Sequence, residues 1–229
     1  MRQIVLLCCL LLSCFLEAKS SSFCYFVPPE GWEIADPKGD STRVKMSFLK
    51  NTGKGFCPSI NLAIEETQVT PSEYLKAVRA IHEQDRDRHW RTLGKVRTAA
   101  GLAQLTEIDT KTEWGPARIL QLIHLKEGKA YILTAAALKE EFSSYYKEIQ
   151  TAFRSLTLTN DLVGEIPQLE RRDSLRTKEE QLTSDKGWDA FQDTILSQFG
   201  DMGAFWQVLV LREAKEKMLT QAPILGAPQ

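Results

Sequence analysis

Val44, Met46 and Phe48 alternate with Lys45 and Ser47, and Ile60, Leu62 and Ile64 alternate with Asn61 and Glu65. A period of two puts every second side chain on one side of an extended chain, so both segments are predicted as strands with one buried face. Asn51-Thr52-Gly53-Lys54-Gly55 between them reads as a turn. Residues 23–27 form a short aromatic and β-branched run stopped by Pro28-Pro29, which predicts an edge strand. Further strands are expected over 94–98, 102–112, 117–125 and 130–136, separated by Gly101, Trp114-Gly115-Pro116 and Glu127-Gly128. The last two carry apolar residues on both faces, as in Ile119-Leu120 and Tyr131-Ile132-Leu133, which marks them as central strands covered on both sides.

Thr70-Pro71-Ser72-Glu73 has the form of a helix start, with Thr70 as N-cap, Pro71 at the first helical position and Glu73 closing a capping box. Tyr74, Leu75, Val78 and Ile81 follow at helical spacing before polarity takes over from His82 to His89. A second helix is predicted over 139–155 through Phe142, Tyr145, Tyr146, Ile149 and Phe153. Strands with helices inserted, but without strict alternation, imply the α+β class: an antiparallel sheet flanked by helices on both faces.

The rest of the chain reads as a C-terminal helical hairpin. Trp188, Phe191, Ile195 and Phe199 mark one stripe, Gly200-Asp201 stops it, and a second helix is predicted from about Met202 to Gln221. The half from Ala204 to Leu211 is apolar nearly all round, and such a helix must be buried on more than one side. Half of the residues from Glu165 to Lys186 are charged, a composition that cannot easily form a core. The expected organisation is an export segment at 1–20, an α+β domain at 21–158, a charged linker at 159–186 and a helical segment at 187–229. With the tail so tethered, Phe205, Trp206 and Val210 are expected to dock on an envelope partner or on a second copy.

The start of the chain changes the picture of where the protein works. Met1-Arg2 precedes an apolar run from Ile4 to Leu16, too short to span a bilayer but of signal-peptide length. Two processing routes fit it. Ala18 and Ser20 suit cleavage before Ser21, whereas Leu11-Leu12-Ser13-Cys14 resembles a bacterial lipobox that would attach lipid to Cys14. Either route predicts an exported protein of the bacterial periplasm or envelope, with no spanning helix in the mature chain. Cys8, Cys9 and Cys14 lie in this segment, which leaves Cys24 and Cys57 as a possible disulfide or as two small buried hydrophobes.

The 229 residues carry 29 Lys plus Arg against 30 Asp plus Glu, a net charge of −1. Nonspecific nucleic-acid binding needs a surplus of positive charge, so that class is excluded.

Several segments resemble the PsbP-like superfamily: Phe26-Val27-Pro28-Pro29-Glu30-Gly31-Trp32, Ser59-Ile60-Asn61-Leu62 with Glu65-Glu66, Ser72-Glu73-Tyr74-Leu75, Gly101-Leu102-Ala103, residues 128–134 and Phe153-Arg154-Ser155-Leu156. The resemblance covers roughly 23–158 and leaves the tail outside it. It implies an antiparallel sheet flanked by helices. The superfamily holds photosystem extrinsic subunits, bacterial envelope proteins such as DcrB and a nuclear Ran-binding factor. Most are accessory or binding proteins without catalytic machinery, and the same is implied here.

The residues themselves offer little chemistry. A G-x-S-x-G elbow and a CxxC pair are absent, and Gly53-Lys54-Gly55 lacks the rest of a phosphate loop. No catalytic residue, metal centre or cofactor is assigned. His82, Asp85 and His89 would share a helical face, yet the two histidines would stand about 10 Å apart along it, too far for one ion. His124 reads as a satisfied sheet histidine, and Glu107, Asp109, Lys111 and Glu113 as a mixed-sign solvent face. Tyr25, Trp32 and Trp114 are the candidate ligand cleft, with Trp90 a further rim aromatic. The leading expectation is a noncatalytic envelope-associated binding protein. The alternative is a metal-binding, small-ligand-binding or enzymatic protein whose site draws on His82, Asp85, Glu107 and Asp109, and a ligand carrier would need one apolar cavity under Trp32 and Trp114.

Overall fold

In the computed structural model, residues 23–35, 43–53, 55–182 and 185–221 are described. The export segment with Cys14, Lys54 of the turn and the last eight residues lie outside them.

Seven strands form one antiparallel sheet in the order β2-β3-β4-β8-β7-β6-β5. These are β2 (Glu33–Ala35), β3 (Val44–Leu49), β4 (Ser59–Glu66), β5 (His89–Thr98), β6 (Gly101–Thr112), β7 (Gly115–Lys126) and β8 (Lys129–Leu138). The central pair is β7 and β8, the segments whose two-sided apolar pattern required burial on both faces. Phe23–Tyr25 is β1, and it leaves the main sheet to pair with β9 (Thr157–Thr159) in a separate two-stranded ladder.

Helices cover both faces, so the fold class is the expected α+β. On one face α1 (Pro71–Glu83) lays Tyr74, Leu75 and Val78 on Ile123, Ala130 and Ile132. Its start is the capping box of the sequence: Glu73 N–H donates to Thr70 Oγ1 at 3.3 Å and Thr70 N–H to Glu73 Oε2 at 2.9 Å. On the other face α2 (Phe142–Arg154) buries Phe142, Ile149 and Phe153 over Leu120, Leu122 and Leu133.

The tail departs from expectation. Residues 159–186 are not a linker. They contain a single helical turn at Val163–Glu165 and α3 (Leu169–Glu180), and Leu162, Val163, Ile166, Leu175 and Leu182 enter the main core. Polar and charged side chains clamp α3 to the two C-terminal helices, α4 (Asp185–Gln198) and α5 (Ala204–Gln221), and to the turn between them. Arg171 pairs with Asp201, Lys178 donates to Thr194, and Lys217 of α5 reaches back to Glu179. Phe205, Trp206 and Val210, expected at a partner interface, are 2%, 0% and 3% exposed. Phe205 stands 5.6 Å from Phe26 and 6.1 Å from Phe48, ring centre to ring centre, and Trp206 Nε1 donates to the Leu162 carbonyl at 2.9 Å. The second surface that this apolar helix needs is the sheet domain of its own chain.

Candidate functional site

Where the tail meets the domain, a cleft of about 750 Å³ remains. Three segments wall it: the Val27–Trp32 loop, the solvent side of α2, and the turn from Gly200 into α5. Each is placed by local chemistry. Ser155 Oγ accepts from Val27 N–H at 2.7 Å, fixing the loop to the end of α2. Gly31 and Gly203 both hold positive φ, 72° and 87°, which the turn into Trp32 and the entry to α5 require. A Cβ on Gly203 would also meet Val27 Cγ1 at 3.4 Å, so its bareness lets the two walls close together.

Trp32 is the anchored aromatic of the cleft. Its Nε1 donates to Glu148 Oε2 at 2.9 Å and its ring meets Tyr145 edge-on at 6.2 Å. Val27, Pro28 and Ala204 supply further apolar wall, while Glu30, Lys147, Glu148 and Thr151 bring polar groups. An apolar concavity with a few placed polar groups is the usual form of a binding site. Lys147, Glu148, Thr151 and Gly203 were missed by sequence reasoning. Glu148 left a trace: it follows Tyr145 by three and precedes Ala152 by four, an exposed carboxylate beside the buried stripe of α2.

The other two cleft candidates are elsewhere. Tyr25 is 5% exposed in the core, and burial, with Glu165 nearby, pushes its phenol pKa up. Trp114 is 51% exposed on the β6–β7 turn against Phe56, beside a separate cleft of about 440 Å³ with Pro116, Leu138 and Lys139. Because Trp32 and Trp114 line different depressions, they do not roof one apolar cavity, and the carrier reading loses its premise. Trp90 lies on β5 under the Arg79 guanidinium, 5.7 Å from the ring centre.

Cys24 and Cys57 are not bonded to each other. Cys24 sits in β1 opposite Leu158, whereas Cys57 lies in the β3–β4 loop. Cys24 is buried, which pushes its thiol pKa well above the ordinary range.

The ladder read as a solvent face is a cross-strand ion network. Glu107 is 6% exposed and meets Arg91 at 2.6 Å and Arg118 at 3.2 Å. Asp109 accepts from Arg118 at 2.8 and 3.0 Å and from Lys139 at 2.7 Å. The Arg118 hydrogen bonds, helped by Lys139 and opposed by partial burial, hold the Asp109 carboxyl down to about 2. Lys111 pairs with Asp87 at 2.6 Å, and Glu113 falls in the turn.

The scattered-site alternative is not assembled. Because α1 stops at Glu83, His89 is carried into β5 and does not share a helical face with His82. His82 belongs to the α1 side of the sheet, whereas Glu107 pairs with Leu120 and Asp109 with Arg118 on the α2 side. Among the described residues no cluster of three or more His, Cys, Asp or Glu side chains could hold a metal ion. His124 Nδ1 lies 3.1 Å from the Leu102 carbonyl, but its Nε2 is buried with no partner, so this histidine is only half satisfied.

No family model matches the chain, and no curated protein matches it. Among solved structures, the chain is similar to LpqN of Mycobacterium tuberculosis, a protein involved in cell envelope biogenesis, at 12% identity and a TM-score of 0.45 over 63% of this chain and 87% of that one. It is similar to cyanobacterial PsbP from Synechocystis at 17% identity and a TM-score of 0.39, over 65% of this chain and 98% of that one. It is also similar to the Ran-binding protein Mog1p of Saccharomyces cerevisiae at 14% identity and a TM-score of 0.42, over 58% and 89% respectively. These likenesses concern the fold alone. No helix among the described residues is long and apolar enough to cross a membrane.

Proposed function

We propose that the protein is a noncatalytic, exported, envelope-associated accessory protein that binds a partner or ligand in the cleft between the Val27–Trp32 loop, α2 and the entry to α5. The observation that carries this reading is the fixed geometry of Trp32, held by Glu148 and Tyr145 beside an apolar concavity of about 750 Å³. A site whose walls are already ordered binds without the entropic cost of arranging them. Export is supported by the apolar run from Ile4 to Leu16 behind Arg2, with either Ser21 as the mature start or lipid on Cys14.

Site-specific photo-crosslinking in the native cell tests it. A crosslinker at Lys147 on the cleft wall should trap a defined product. One at Leu169, exposed on α3, should not, and Thr151→Trp, which fills the cleft from an exposed position, should abolish the product. Equal products from Lys147 and Leu169, or product that survives Thr151→Trp, would remove the cleft from the account. Intact-mass analysis that finds Met1 retained would remove export.

A further inference from the structure

The sheet has two edges of unequal length. One is β2, of three residues, and the other is β5, of ten. Among the described residues, the backbone of β5 is laddered on one side only, to β6, and its outer groups carry no backbone hydrogen bond. An open edge of this length is a template for another strand unless it is blocked. A bulge between Thr92 and Gly94 interrupts it, with Gly94 itself at φ 107°, and from Lys95 the register runs one to one to the turn at Thr98.

This stretch carries an unbalanced charge. Lys95 and Arg97 are exposed and form no ion pair among the described residues, whereas Arg91 is matched by Glu107. Arg154 closes the same end, its carbonyl accepting from Ala99 N–H at 3.0 Å. By the register with β6, Lys95 and Arg97 stand on the face that carries Gln104 and Leu102, while Val96 stands beside Ala103 on the core face.

We infer that residues 94–98 of β5 bind an extended peptide segment in which acidic and apolar residues alternate. Added as an eighth strand, such a segment sets its carboxylates beside Lys95 and Arg97 and its apolar side chains beside Val96, prolonging the core face. A second copy is the poorer occupant, because antiparallel pairing about Val96 would set Lys95 against Arg97 twice, and like charges directly opposite are destabilising. This edge is separate from the Trp32 cleft, and the two readings stand or fall independently.

The test uses the full chain and a fluorescein-labelled peptide of alternating Glu and Val, read by anisotropy at low salt. Saturable binding is expected, weakened about tenfold or more by the K95E/R97E double substitution. It should weaken similarly when alternate peptide nitrogens are methylated, which removes backbone donors but keeps the charge. Both side chains are exposed and form no ion pair among the described residues, so the variant should keep the wild-type circular dichroism. Absence of saturable binding would show the charges and bulge to be edge protection only. Equal binding by the N-methylated peptide would reduce the contact to charge alone, and undiminished binding by the double variant would place it elsewhere. Each of these results overturns the inference.

Discussion

Arg171 and Asp201, thirty residues apart, meet in a two-armed ion pair at 2.8 and 2.9 Å. The same guanidinium donates to the Gln198 carbonyl at 2.7 Å and stacks 4.7 Å above the Phe199 ring. Asp201 is more than half exposed, and its pair with Arg171 is the weaker part of the arrangement because water screens it. Asp201→Asn should therefore cost no more than about 1 kcal/mol. Arg171→Ala also loses the stacked contact and the carbonyl bond and should cost roughly 1–2 kcal/mol. Urea midpoints of the two variants, at constant slope, would check the order.

Trp206 is wholly buried and its indole N–H satisfies the Leu162 carbonyl. Trp206→Ala is expected to destabilise by about 3–5 kcal/mol. Deleting residues 187–229 would strip Phe26 and Phe48 of Phe205 and is expected to unfold the remainder. Near-ultraviolet circular dichroism and limited proteolysis of the truncated chain would measure this; a rigid, protease-resistant fragment would contradict the role given to Phe205 and Trp206 in the core.

The Asp109 carboxyl is held at about 2 by Arg118 and Lys139. A depressed carboxylate contributes stability that is fully present above its unfolded pKa, about 4. That contribution falls away as pH drops from there through about 2. Asp109→Asn should thus flatten the stability profile between about pH 4 and 2 and lower stability near neutrality. Thermal melts across that range would show it.

Burial raises the Cys24 thiol pKa, so little thiolate forms at neutral pH. Iodoacetamide should label Cys24 only once the chain is unfolded. Reductant should leave the melting temperature unchanged, since Cys24 and Cys57 are not bridged. A melting temperature that falls with dithiothreitol would point to a disulfide.

Local signals in the chain carried far. The capping box of Thr70 and Glu73 needs four consecutive residues and no tertiary context, and it forms as read. The two-sided apolar pattern of 117–125 and 130–136 likewise implied the central strands. The charged segment was misread because charge density does not show where a charge is answered. Arg171 finds Asp201 and Phe199, and Lys217 finds Glu179, only after the chain has folded back. Glu107 was assigned to water for the same reason: alternation gave its face, whereas Arg91 and Arg118 come from neighbouring strands by register. At the cleft, Trp32 carried a turn signal, but its opposite walls belong to α2 and to Gly203, more than a hundred residues away.

The Phe26, Phe48 and Phe205 cluster joins the first strand region of the described chain to its last helix. A chain is synthesised from its N-terminus, so Phe26 emerges long before the residue that covers it. Contacts of such sequence separation form late and slow folding. Until α5 has been made, Phe26 and Phe48 lack the ring of Phe205 that packs on both of them. For a polypeptide that must be threaded through a membrane, as the export reading requires, that delay is useful: the order of synthesis itself postpones the closed structure that a narrow channel would reject.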